Sequence, residues 1–199
     1  STVALAAIVS NVVILSAEIP SGIIADRWSR KKLLVIAGFV DIVFLLISLS
    51  ANSVPVYILA LAFGGFYIAL NSGLVDTIVY DTLLEETGSR AGFEKHLGVL
   101  HALRSAGLVL GSLLGGLVGQ YVSLRSTYLW TLPGSIIFIF ALTFLREPTV
   151  HIAEDRTEFL HQFKETLVYV FAKGYARWIV ISMLCLGVLS TFVLELDQL

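Results

Sequence analysis

Charge is what this sequence has least of: 14% of its 199 residues are Asp, Glu, Lys or Arg, against about a quarter in ordinary soluble domains. Cysteine is nearly absent too. With Cys185 alone, the chain can build neither a disulfide framework nor a thiolate metal centre. Inside an apolar run, that thiol reads as a small hydrophobe against lipid or a neighbouring helix. No HExxH and no His/Cys cluster occurs, so no metal is expected. The Gly-Lys-Ser/Thr phosphate loop is missing, which argues against ATP-driven work, and no nucleophile elbow appears. A non-enzyme without a cofactor is the expectation. A net charge of −2, with no basic patch outside the loops, gives no reason to expect nucleic acid as a partner. There is no signal-peptide pattern. The chain opens directly into one apolar run and stops as another finishes, so a fragment of a longer protein is expected.

What is present is hydrophobic length. Hydrophobic residues make up 57% of the chain, in blocks near the ~20 residues that cross a bilayer. Six such spans are expected, at about 3–24, 33–50, 56–78, 97–118, 128–145 and 178–194. The first carries Asn11, Glu18 and Pro20, and the second is interrupted by Asp41. The third is rich in small residues (Gly64, Gly65, Ala69, Ser72, Gly73) that let transmembrane backbones approach closely. Between 149 and 177, Phe159, Leu160, Phe163, Leu167, Val168 and Phe171 recur at three- and four-residue steps. That pattern predicts an amphipathic helix too polar to span, lying at the membrane surface or under the bundle. The predicted class is therefore all-α and polytopic, with the lipid bilayer as a partner. Every Lys and Arg except Arg125 falls on or beside the 25–32, 79–96 and 146–177 segments. The positive-inside rule makes that side cytoplasmic in a multi-pass protein of the cell membrane.

The hinge between the first two spans reads GIIADRWSRKK from Gly22 to Lys32. Gly22, Asp26, Arg27, Arg30 and Lys31 occupy every fixed position of Gly-x-x-x-Asp-Arg-x-x-Arg-Lys. This resembles motif A of the major facilitator superfamily, which joins transmembrane helices 2 and 3 on the cytoplasmic side. The resemblance implies that the visible spans are helices 2 to 7 of a twelve-helix fold, with helix 1 and helices 8–12 as missing partners in the same protein. It also implies a division into 1–148 (the rest of the N-terminal half), 149–177 (the linker between halves) and 178–199 (the start of the C-terminal half). Motif A would latch the two halves together and release as the site turns inward. Asp26 would contact a helix start in the other half. Arg30 would pair with an acid at the cytoplasmic end of helix 4, Asp81 first, with Asp76 or Glu85 as substitutes. Topology-fixing charge is the plainer alternative.

Gly107, Gly111, Gly115 and Gly116 are similar to the family's motif C, with Ser112 where that motif has proline. An ordinary small-residue packing face would look the same. The motif implies an exporter working as an antiporter. No basic residue lies between 61 and 73, where proton-coupled exporters of the family often carry a membrane arginine.

Asp41 sits about eight residues into its span, ~12 Å deep at 1.5 Å per residue. An acid there is a candidate proton carrier or binder of a cationic substrate. Glu18 is a second candidate, or a member of the gate network. Asn11 and Asn71, with Glu195, would line the cavity, and His101 and Arg104 could pair with Asp76 or Asp81. The expected function is alternating-access transport of a small molecule, by efflux with protons as coupling ion. Uptake, or a non-transporting receptor or scaffold, are the alternatives.

Overall fold

The structure, a computed structural model, describes residues 2–89 and 92–148, together with positions 174, 178, 181, 182 and 185. By internal contacts the chain divides into two units, Ser1–Glu154 and Asp155–Leu199. The amphipathic helix predicted within 149–177 and the span predicted from 178 lie outside the described residues, as does Glu195.

The first unit is all helical: α1 (Thr2–Arg27), α2 (Arg30–Ser50), α3 (Val54–Asn71), α4 (Leu74–Thr87), α5 (Phe93–Tyr121) and α6 (Leu124–Phe144). Five apolar stretches among the described residues are long enough to cross a membrane, with α3 and α4 counted together as Val54–Thr87. A lipid environment makes helix the natural answer, since each backbone group must be satisfied within its own segment. Local residues set the boundaries. Ser29 caps α2 by accepting from the backbone N–H of Lys32 at 3.1 Å, and Ser123 caps α6 by accepting from Ser126 at 3.1 Å. Pro55 opens α3, where a missing donor costs nothing. α1 runs through Pro20.

Two features differ from the expectation. The third span stops at Asn71, because Gly73 adopts φ +69° and the helix restarts at Leu74. The polar 79–96 segment is also mostly helix: α4 continues to Thr87 and α5 begins at Phe93. α4 is capped by Gly88 and α5 by Gly92, both in the left-handed region. Polarity misled because Asp81 points inward, at 2% exposure. A charged residue marks a loop only when its charge faces water.

α1 packs mainly on α3, and α2 lies between α3 and α6. The core at the hinge end joins Ala25, Leu33, Leu34, Ala37, Leu70, Leu74, Ile78 and Leu142. Glycine allows the closest approaches. A Cβ on Gly65 would lie 2.6 Å from the backbone oxygen of Ser10, and one on Gly38 would lie 2.6 Å from Ile139 Cγ1. A side chain can rotate away, whereas a helix backbone must translate. Gly65→Ala is therefore expected to destabilise by about 1–3 kcal/mol and Gly38→Ala by less, read as melting temperatures of the purified protein. α5 buries none of its residues within the described part.

Candidate gate and membrane-embedded polar groups

The N-terminal end of α2 gathers three helices. Arg30 forms an ion pair with Asp81 of α4, and the two side chains are 11% and 2% exposed. Next to it, the hydroxyl of Ser29 hydrogen-bonds the Glu147 carboxylate just beyond α6. The backbone N–H of Lys31 reaches the same carboxylate at 3.4 Å. The Lys31 ammonium donates to the carbonyls of Thr143 at 3.0 Å and Leu145 at 2.8 Å. Those carbonyls end a helix, so they lack intrahelical donors and carry the negative end of its dipole. One three-residue stretch thus holds α4 through a buried charge pair and α6 through a staple of hydrogen bonds.

Of the other predicted gate groups, Asp76 lies 4.0 Å from His101 Nε2, with both side chains roughly half exposed, and Glu85 is exposed. Gly22 has open space where a Cβ would be. Asp26 and Arg27 fall in the last turn of α1, but their side chains lie outside the described part. At the opposite end, Arg125 donates to Ala51 O at 2.6 Å and to Asn52 Oδ1 at 3.0 Å. That arginine, in the first turn of α6, ties it to the residues between α2 and α3.

Deeper in the spans, Ser135 of α6, itself buried, donates to Asp41 Oδ2 at 2.5 Å. Tyr67 of α3 lies within electrostatic reach of both Asp41 and Arg104. α2, α3 and α6 each contribute a polar group to this region. One side-chain atom of Asn71 is buried without a hydrogen-bond partner among the described residues. Glu18 Oε1 accepts from Ser72 Oγ at 3.0 Å, at the interruption between α3 and α4. Asn11 is exposed. Gly107, Gly111, Gly115 and Gly116 meet nothing within 4 Å of an added Cβ, and Ser112 beside them is exposed. This face of α5 is unpacked within the described residues. No group of three or more His, Cys, Asp or Glu side chains that could hold a metal occurs among the described residues.

The sequence gives Glu147, Ser135 and Tyr67 no role, and marks Ser72 only as a small packing residue. Glu147 was within reach, as an acid ending a span just before Pro148. Ser135 gives no signal, since one hydroxyl in an apolar helix has no register until the partner helix is placed. Glu147→Ala removes the acceptor of two hydrogen bonds and is expected to cost about 1.5–3 kcal/mol. Glu147→Gln, which keeps an acceptor, should cost less. Thermal unfolding of the purified protein measures both.

The profile of one family, described as Major Facilitator Superfamily, matches residues 1–196. No curated protein and no solved structure matches the chain.

Proposed function

We propose that this chain, which belongs to the Major Facilitator Superfamily, works within an exporter that moves a small hydrophobic cation in exchange for protons. Membership itself makes it a multi-pass membrane protein and part of a secondary transporter rather than an enzyme. The finer reading rests on one observation above all: the Asp41 carboxylate, in an apolar span, accepts from the buried Ser135 hydroxyl. An acid held deep in a membrane suits a group that alternates between a proton and a cationic substrate. Alternating access then exposes it to each side in turn.

The hinge end is the cytoplasmic gate in this reading, consistent with the basic residues that cluster there. The Arg30–Asp81 pair and the Glu147 staple hold α2, α4 and α6 as one body, so that this half rocks as a unit. Gly22, Asp26 and Arg27 engage the other half in this reading. The glycine series 107–116, unpacked here, supports export. The serine at position 112 favours uptake as the second reading, because the motif C proline is missing.

Counterflow in proteoliposomes tests the reading. The protein is reconstituted with an acidic lumen, and lipophilic cationic dyes are added outside, alongside neutral and anionic analogues. Preferential accumulation of the cations driven by the pH gradient is expected. Accumulation of anions, or of none of the three classes, would contradict the proposed substrate class.

A further inference from the structure

Arg104 has no task in the account so far. It lies within an apolar span of α5, seven residues past Leu97, or ~10 Å along the helix at 1.5 Å per residue. The acids it could have paired with are engaged elsewhere: Asp81 with Arg30, and Asp76 beside His101. Glu18 is taken up with Ser72. Among the described residues Arg104 makes no ion pair, and its side chain is exposed. A guanidinium at membrane depth is costly unless it faces a cavity and meets an opposite charge there.

Two contacts fix the heights of the helices against one another. The Arg30–Asp81 pair sets the start of α2 level with the middle of α4. Counting 11 residues along α2 from Arg30 reaches Asp41, and counting 11 back from Asp81 reaches Leu70, beside Asn71. The Asp76–His101 contact sets α5 level with the first turn of α4. Arg104, three residues further on, then stands level with Gly73. Asp41, Asn71 and Arg104 therefore share one height to within about a turn. Tyr67, within electrostatic reach of both Asp41 and Arg104, fits that arrangement. Asn71 Oδ1 is buried with no hydrogen-bond partner among the described residues, so one donor is still to be supplied at this level. α2 and α5 are joined through α4 and α6, and their opposite charges do not neutralise each other directly.

We propose that Arg104 is an anion subsite beside Asp41, and that the preferred substrate is amphoteric, with its cationic group at Asp41 and a carboxylate at Arg104. The inference rests on the transport reading above and deepens it: Asp41 keeps the cationic end, and Arg104 adds a requirement for an anionic one. A guanidinium suits that requirement, because its planar fork of N–H donors matches the two oxygens of a carboxylate. Away from water each charge pair is also stronger than it would be in solution. A substrate with positive charge alone still meets Asp41 but leaves Arg104 unanswered, and so binds less tightly. A substrate with negative charge alone has no partner for Asp41.

The test compares two dyes that differ in one charge: a rhodamine free acid, zwitterionic at neutral pH, and its methyl ester, a cation with the same ring system. Fluorescence anisotropy reads their binding to the full-length protein in nanodiscs of zwitterionic lipid, which bring no anionic headgroup to compete for Arg104. The unaltered protein should bind the acid at least about tenfold more tightly than the ester. In Arg104→Gln that ratio should fall to near one. Arg104→Lys, which keeps the charge without the fork, should retain part of it and carries the test if the glutamine variant does not fold. Equal binding of the two dyes by the unaltered protein overturns the proposal, as does a preference for the acid that survives Arg104→Gln. Asp41→Asn is scored separately, by the affinity for both dyes rather than by their ratio. Unchanged affinity in Asp41→Asn would count against the transport reading, whereas a ratio that ignores Arg104 counts against the anion subsite alone.

Discussion

Asp81→Ala is expected to be the most destabilising single substitution at the gate end, lowering stability by about 3–5 kcal/mol. The cause is less the pair's own worth than what remains after it is broken. Arg30 is only 11% exposed, so losing the carboxylate leaves a guanidinium with little water to replace it. At about 2–4 °C per kcal/mol for a chain of this size, the melting temperature should fall by roughly 10 °C. Arg30→Ala should cost a similar amount, by leaving Asp81 charged at 2% exposure. The double variant should cost much less than the sum, because neither orphaned charge remains. A purely additive double variant would show that the two side chains do not depend on each other. Glu85→Ala and Asp76→Ala, at more exposed positions, provide the contrast and should each stay within about 0.5 kcal/mol.

Asp41→Asn should produce the second large effect, on activity rather than on folding. Asparagine keeps an oxygen to accept from Ser135, so the contact between α2 and α6 survives and the protein should remain monodisperse. What is lost is the ability to take up and release a proton. Proton-driven transport should fall by at least about 100-fold, the lower range for removing a proton-transferring group, and exchange of substrate for substrate should weaken with it, because the same carboxylate binds the cation. Ser135→Ala should act in the same direction but less strongly, since it releases the carboxylate without removing it. Asp41→Asn with unaltered, still pH-dependent transport would eliminate Asp41 as the coupling group.

Much of this architecture could be read from the chain because membrane helices announce themselves by length. The apolar runs foretold α1, α2, α5 and α6 and a single span where α3 and the start of α4 lie, and five fixed residues between Gly22 and Lys31 were enough to suggest the family. The errors came where polarity and structure part company. Residues 79–87 looked like a loop because Asp81, Glu85 and Glu86 lie among them, yet the helix runs on, with Asp81 turned inward to meet Arg30. The break at Ser72–Gly73 was hidden inside a small-residue run that was read for packing alone. Pairings across helices were the least legible. Asp41 drew notice by its depth, while its partner Ser135 is 94 positions away and becomes visible only when α2 lies against α6. Glu18, two turns before Asp26 on the same helix, could be read only as a proton candidate or a member of the gate network. Its contact with Ser72 depends on a helix end that periodicity does not reveal.

The measurement closest to the central claim uses the full-length protein in inside-out vesicles energised with a proton gradient. A pH-sensitive dye reports the gradient while lipophilic cations are added, with Asp41→Asn vesicles in parallel. The account predicts that a transported cation dissipates the gradient in the unaltered protein and not in Asp41→Asn. A labelled cation crossing with no proton movement, or dissipation that ignores the substitution, would contradict it.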